Sequence, residues 1–150
     1  MYKIFYILEK EMSFQEKSAW ACLIGVLAVY GWYFIDVGLF VDPAFTLGAF
    51  MKKQIVLMVG LVILLIIGNA VAAATSRSGE DSVQDEREIL IKAQAGDIAG
   101  GVAIIGSLMA AVSLFHGAQA IEMANYVLLA IVASEIVRNG VKIAKYRFWL

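Results

Sequence analysis

The sequence predicts an all-α integral membrane protein, a four-helix bundle with both termini in the cytoplasm. The segment 54–74 contains no charged residue. At about 1.5 Å per residue, a helix of this length crosses the hydrocarbon core of about 30 Å. The chain is 61% hydrophobic and 17% charged, whereas soluble domains are about 45–50% apolar and about 25% charged. A chain of 150 residues also has little other material with which to bury such a helix on every side.

A single domain of four spans accounts for the whole chain, 1–150, because each span needs about 20 residues in addition to its loops. A polar, serine-rich loop lies between the second and third spans, within 75–97. The predicted spans are 18–35, 54–74, 98–115 and 120–141.

The first helix is predicted to begin at the capping box Ser13-Phe-Gln-Glu16. In this motif the Ser13 hydroxyl accepts a hydrogen bond from the backbone of Glu16, and the Glu16 side chain reaches back to the start of the helix. Three aromatic residues, Trp32, Tyr33 and Phe34, close the span, as expected where amphipathic rings meet lipid headgroups.

The second helix is predicted to begin at Asp42-Pro43, with Asp42 as the cap and Pro43 as the first helical residue. Proline suits that position because its missing N–H would have no partner there in any case. Lys52 and Lys53 then mark the near edge of the second span.

The third helix is predicted to run without a break from about Val83 to Phe115, partly outside the membrane and partly within it. Ser82 and Asp85 form a second capping pattern at its start. A break of several residues near Gly96 would contradict this prediction. A tight turn, 116–119, leads into the fourth span, which contains three charged residues: Glu122, Glu135 and Arg138.

The distribution of basic residues predicts the orientation. With four spans, both termini and the middle loop lie on one side of the membrane. Ten of the twelve Lys and Arg residues fall on that side, and only Lys52 and Lys53 fall on the other. The positive-inside rule therefore places the termini of this multi-pass protein in the cytoplasm.

The third span is rich in small residues at helical spacing, among them Gly96, Gly100, Ala103 and Ser107, and also Gly106 with Ala110. Small residues let two helix backbones approach closely, and such packing drives helix association in lipid. The pattern fits packing within the bundle or a seam with a second copy or another membrane partner. In either case the third helix is expected to be the central one.

Polar residues inside the spans indicate a site more specifically than the small residues do, because hydrocarbon offers polar side chains no partner. Glu135 and Arg138 are three residues apart and therefore share one face of the fourth helix. One interpretation is a proton or cation site with Glu135 as carrier, and the other is a paired charge that fixes helix register. The predicted cluster comprises Asn69, Asp97, Glu135, Arg138 and Asn139.

Composition and motifs exclude several other kinds of site. The net charge of −1 and the absence of a basic stripe argue against nucleic acid as a partner. With one cysteine, Cys22, and one histidine, His116, the usual zinc ligand set is excluded within one chain. The loop carboxylates near His116 are interpreted as solvated. No phosphate loop, nucleophile elbow or dinucleotide fingerprint occurs, so no metal, cofactor or catalytic residue is predicted.

The middle loop carries the most distinctive string, Asp85-Glu86-Arg87-Glu88, followed by Lys92-Ala93. Helix-start chemistry explains these charges, because acidic residues favour the helix N-terminus and Glu88 and Lys92 are spaced to pair. The string also resembles the DERE motif that opens the third helix in a large group of small four-span inner-membrane proteins of bacteria and archaea, a domain family of unknown function. The other matching residues are Glu135, Lys142, Tyr146 and Arg147.

The resemblance extends along nearly the whole chain from Met12. The segment Met12–Trp20 is similar to the usual start of such proteins, which implies that Met1 to Glu11 is an extension and Met12 the natural start. The resemblance implies a four-span inner-membrane protein and brings no activity with it.

Two functions remain open at this point. The first is a non-enzymatic scaffold, sensor or accessory subunit that contacts a partner through the cytoplasmic segment Asp85 to Lys92. The second is a small proton-coupled transporter that uses Glu135 and works as a dimer. The four-span multidrug exporters are a poor match for the second, because they carry a carboxylate in their first helix and the span 18–35 has none. A membrane enzyme is the least supported, since His116 has no companion suited to catalysis.

Overall fold

A computed structural model describes residues 12–39, 41, 46–75 and 86–148 of the chain. All regular structure in these ranges is helical, and a short 3₁₀ turn, Leu114–His116, follows the third helix. The four long helices are α1 (Phe14–Val37), α2 (Leu47–Ala74), α3 (Glu86–Ser113) and α4 (Ala120–Phe148).

Each of the four helices is long and apolar enough to cross a membrane, as the sequence predicted. Helix α2 is the most apolar, yet only 6% of its most apolar stretch is buried within the protein. Large side chains such as Val56 (69% exposed) and Ile66 (63% exposed) project outward from it. An aqueous solvent would make this exposure very costly, whereas lipid does not. The fold therefore fits a multi-pass integral membrane protein.

The helices form a four-helix bundle that is open along one side. Helix α1 packs against both α2 and α4, and α4 packs most extensively against α3. No comparable interface joins α2 to α3 or α2 to α4 within the described ranges. The two central helices are therefore α1 and α4, and the prediction that the third helix is central was wrong.

Two ends of the bundle are distinguished below. The terminal end is where α1 begins and α4 ends, and the far end is where α1 ends and α4 begins. Lys17 of α1 donates to the Thr75 carbonyl at the terminal end (2.7 Å), and Lys53 of α2 pairs with Asp36 at the far end. Helices α1 and α2 are therefore antiparallel neighbours along their whole length.

The helix starts partly follow the predicted capping. The Ser13 hydroxyl accepts from the Glu16 amide at 3.3 Å, as the capping box requires. Helix α2 begins at Leu47 instead of Pro43, because Thr46 is extended and its hydroxyl accepts from the Ala49 amide at 3.3 Å. Asp42 and Pro43 themselves lie outside the described residues.

Helix α3 runs through Gly96 without a break, which confirms the predicted continuous helix over its described part. The predicted first residues of this helix, 83–85, lie outside the described ranges. After the 3₁₀ turn, Gly117 adopts a left-handed backbone conformation with φ of 88°. Glycine tolerates this conformation without strain, so the chain reverses into α4 at the predicted tight turn.

Candidate functional site

A buried ion pair joins the first and last helices at the terminal end. The Arg147 Nε donates to the Glu16 carboxylate at 2.6 Å, and Glu16 is only 3% exposed. The Glu16 side chain was expected to reach back along its own helix start, but its carboxylate accepts from α4. The two residues are 131 positions apart, so no local spacing could have paired them.

Asn69 lies on the α2 side of α1, apart from the charged residues of α4. The Ser18 hydroxyl donates to Asn69 Oδ1 at 2.6 Å, and Asn69 Nδ2 donates to the Leu65 carbonyl of its own helix at 2.8 Å. Both polar ends of the amide are thus satisfied between α1 and α2. Its role in the structure is a polar link between two neighbouring helices.

Glu135 and Arg138 form the predicted pair on α4, with 2.8 Å between Arg138 Nη1 and Glu135 Oε1. The Glu135 side chain is 32% exposed and the Arg138 side chain is 43% exposed. Asn139 is 2% exposed and donates to the Glu135 main-chain carbonyl at 2.8 Å. Three of the five predicted cluster residues therefore lie together, all on one helix.

Asp97 does not join this group. It is exposed, and it lies two residues from both Ala95 (0% exposed) and Ala99 (1% exposed) on α3. Two residues correspond to about 200° around a helix. Since the buried alanines face α4, Asp97 is on the opposite side of α3.

A groove of about 390 Å³ lies between α2 and α4, with α1 behind it. Among its lining residues are Tyr30 of α1, Phe50 and Gln54 of α2, and Leu128 and Ile131 of α4. This groove lies in the half of the bundle toward the far end. Its apolar lining continues the open side of the bundle described above.

The charged face of α4 continues the groove toward the terminal end. Glu135 and Arg138 are four and seven residues beyond Ile131, and this spacing places all three on one helix face. Lys142 lies four residues beyond Arg138 on the same face. Cys22 of α1 is within electrostatic range of Glu135, Arg138 and Lys142, so this face turns toward α1 and not directly away from the bundle.

Lys92 of α3 also approaches this charged face. It lies within electrostatic range of Lys142, as do Arg138 and Glu135. Lys92 was assigned from the sequence to the segment that binds a partner. The structure shows in addition that Lys92 acts on a charge of α4, that of Lys142.

The remaining described residues of the DERE string lie at the start of α3. Glu86 and Arg87 are exposed, and Glu88 is partly buried. Ile89 and Leu90, which follow, are 53% and 47% exposed. Asp85 lies outside the described residues. The terminal end of α3 therefore presents charged and apolar side chains side by side.

The small residues of α3 divide between two faces. A Cβ built at Gly106 would lie 2.6 Å from the Ala130 Cβ, so the close approach of α3 to α4 occurs there. A Cβ at Gly96 or Gly100 would meet nothing within 4 Å. Ala103 and Ser107 are partly exposed beside a shallow surface depression. Gly96, Gly100, Ala103 and Ser107 thus lie beside the seam with α4 and leave a surface of small residues uncovered.

A second buried polar group, at the far end, was missed in the sequence. Tyr33 and Asn125 are both 0% exposed, and the Tyr33 hydroxyl donates to Asn125 Oδ1 at 2.9 Å. Asn125 Nδ2 donates to the carbonyls of Gly38 and Leu39 at 3.1 and 3.2 Å. This amide ties α4 to the end of α1 and satisfies carbonyls that the helix leaves unpaired.

The loop residues near His116 have local partners. His116 Nδ1 lies 3.2 Å from the Val112 carbonyl, and the Glu122 carboxylate accepts from the Gln119 amide at 2.8 Å. Asp36 is paired with Lys53. These groups therefore have partners within the described part of the chain.

Comparisons with models of protein families, with curated proteins and with solved structures found no significant match.

Proposed function

We propose that this chain is a non-enzymatic subunit of the inner membrane that binds a partner protein through the segment from Asp85 to Lys92. The observation that carries the proposal is the exposed start of α3, where Glu86 and Arg87 stand beside Ile89 and Leu90. Charged and apolar side chains exposed together fit a protein surface better than they fit lipid or water alone. We therefore propose a role as a scaffold, sensor or accessory subunit.

The proposed topology places the terminal end, and with it the start of α3, in the cytoplasm. Its support is the sequence distribution of Lys and Arg, since ten of the twelve fall on the predicted side of both termini and the middle loop. A partner is then either a soluble cytoplasmic protein or the cytoplasmic part of another membrane protein. The resemblance to DERE-motif membrane proteins supports the proposal, because their motif also lies between the second and third spans.

The continuity of α3 supports a mechanical link between this segment and the membrane. The exposed start and the membrane-crossing part belong to one unbroken helix, Glu86–Ser113. That helix packs along α4 through the close contact at Gly106. A partner that displaces the start of α3 would therefore shift the α3–α4 pair within the bilayer, in the way that small helix shifts transmit changes across other packed interfaces.

A photoreactive residue in place of Glu86 should give a discrete crosslinked product in native membranes. The matched control is the same photoreactive residue in place of Lys52, which is exposed near the far end of α2. We expect the product at position 86 and not at position 52, because only the former lies in the proposed partner surface. Gel mobility of the tagged protein, followed by mass spectrometry, measures the yield.

Reversal of the charge at Arg87 is a second test of the proposed partner surface at the start of α3. Arg87→Glu should reduce the crosslink at position 86 by about tenfold, in line with a contribution of about 1.4 kcal/mol from charges at an interface. Lys52→Glu should leave it unchanged. Equal crosslinking at both positions, or indifference to Arg87→Glu, would contradict the proposed partner surface.

A second candidate function, a small proton-coupled transporter, draws its support from the position of Glu135. This carboxylate lies on the face of α4 that continues the groove, is partly exposed, and is paired with Arg138. A carboxylate with a charged neighbour in a cleft within the membrane is a typical proton carrier. The open surface at Gly96 and Gly100 would accommodate the second copy of a dimer.

Under this second candidate, Glu135→Gln should abolish proton-coupled solute flux into liposomes that contain the purified protein. The amide keeps the shape of the side chain but cannot carry a proton. Asp97→Asn is the matched control, since Asp97 is an exposed carboxylate on the side of α3 opposite to α4. Flux that survives in Glu135→Gln, or no flux from the unaltered protein with a broad solute panel, would rule out this candidate.

A further inference from the structure

Lys142, on the groove-facing side of α4, has two other cationic side chains within electrostatic range. Arg138 and Lys142 lie on α4, and Lys92 approaches from α3. Glu135 is the only carboxylate among the groups that act electrostatically on Lys142 in the described part of the chain. Three cations against one carboxylate leave an excess of positive charge. We call Lys92, Arg138 and Lys142 the basic cluster.

The single carboxylate of this place is already engaged. Glu135 is bound by Arg138 at 2.8 Å. Neither Lys92 nor Lys142 forms a hydrogen bond or ion pair with a residue that the structure describes, and both side chains are partly buried. Like charges held near one another and partly shielded from water repel, so an anion seated between them would relieve the repulsion.

The depth of the basic cluster matches the headgroup region. Lys142 follows the last residue of the predicted span 120–141, and Lys92 precedes the predicted span 98–115 by about a turn and a half. Arg138 lies one turn further into the membrane. An anion at this depth is within reach of the phosphate of a membrane lipid in the leaflet at the terminal end.

The apolar groove lies on the same face of α4, deeper in the membrane. From Arg138 to Leu128 the helix rises about 15 Å at 1.5 Å per residue, and this distance is half of a hydrocarbon core of about 30 Å. An acyl chain that descends from a headgroup at Arg138 therefore reaches the groove at Ile131 and Leu128. With its volume of about 390 Å³, the groove has room for the distal part of one chain.

We propose that the groove-facing side of α4 is a binding site for one anionic phospholipid, with the lipid phosphate on the basic cluster and an acyl chain in the groove. Charge complementarity selects an anionic headgroup over a zwitterionic one. The lipid would cover the open side of the bundle between α2 and α4. This inference shares Lys92 with the proposed partner segment, but its test uses only the purified protein and lipid, without any partner protein.

Thermal unfolding of the full-length protein in a neutral detergent tests the site, with tryptophan fluorescence as the signal. Added phosphatidylglycerol should raise the unfolding temperature, because a ligand that binds only the folded state stabilises it. Phosphatidylcholine with the same acyl chains should give little or no increase. Inorganic phosphate alone should also give little or no increase, because it lacks the chain that occupies the groove.

A variant of the basic cluster and a control variant outside it distinguish lipid binding at the cluster from a general effect of positive surface charge. Lys92→Gln with Lys142→Gln should raise the phosphatidylglycerol concentration for half-maximal effect by about 25-fold, from about a fivefold contribution of each charge. Lys52→Gln, an exposed lysine outside the cluster, should leave it unchanged. Equal effects of the two lipids, equal behaviour of the two variants, or a full effect of inorganic phosphate would each overturn the proposal.

Discussion

Arg147→Ala is expected to lower the free energy of unfolding by about 3 kcal/mol, at the lower end of the range for a broken buried ion pair. The variant leaves the Glu16 carboxylate, 3% exposed, without the guanidinium that binds it at 2.6 Å. The lower end applies because the Arg147 side chain is 28% exposed. Helical circular dichroism during titration of mixed micelles with a denaturing detergent measures the change.

A substitution at the other residue of this ion pair, Glu16, is the control for Arg147→Ala. Glu16→Gln removes the charge but keeps the shape, and Arg147 retains its exposure and a further contact. We expect this change to cost less than about 1 kcal/mol. Combining it with Arg147→Ala should recover most of the stability lost in Arg147→Ala alone. Losses that simply add would show that the buried carboxylate is not the source of the destabilisation.

The helices themselves were predictable because lipid imposes a strong constraint on the sequence. A backbone that crosses hydrocarbon must satisfy its own hydrogen bonds, so an uncharged segment such as 54–74 has one stable form there. Three of the four predicted spans lie within helices of the structure, and the third span, 98–115, ends in the 3₁₀ turn that follows α3. The start of α2 was misplaced because Asp42-Pro43 and Thr46 are both acceptable cap signals at short range.

The order of the helices was not predictable from the same signals. Small residues lie on more than one face of α3. Each row of small residues, taken alone, has the spacing expected of a helix-packing interface. The structure uses the row that contains Ala99, Gly106 and Ala110, all turned toward α4. In the neighbouring row, a Cβ added at Gly96 or Gly100 would meet nothing within 4 Å in the described part of the chain. Choosing between two such rows requires knowledge of where the other helices lie.

Hydrogen bonds between polar side chains on different helices could not be predicted from local sequence patterns either. Ser18 and Asn69 are 51 positions apart, and Tyr33 and Asn125 are 92 apart. Only the pair Glu135 and Arg138, three positions apart on one helix, could be read from spacing. Asn125 did carry a usable signal, because an amide inside a span needs a partner just as Asn69 and Asn139 do. Its partner Tyr33 had been explained as an interface aromatic.

The close contact between α3 and α4 gives the second large prediction. Gly106→Ala should destabilise the protein by about 2 kcal/mol, within the range for an overpacked core. The new methyl group would lie 2.6 Å from the Ala130 Cβ and 3.3 Å from its Cα. A methyl group on Ala130 cannot rotate out of the way, so the two backbones must separate along their most extensive interface. The same detergent titration measures the loss.

Two further variants show whether the contact between Gly106 and Ala130, and not a change in helix propensity, causes the loss of stability in Gly106→Ala. Gly100→Ala makes the same chemical change on the same helix, where a Cβ meets nothing within 4 Å. It should be neutral or stabilising by up to about 1 kcal/mol, because alanine is the better helix former. Ala130→Gly combined with Gly106→Ala moves the methyl group across the seam and should restore most of the stability. If Gly106→Ala and Gly100→Ala behaved alike, the close approach of α3 to α4 at Gly106 would be refuted.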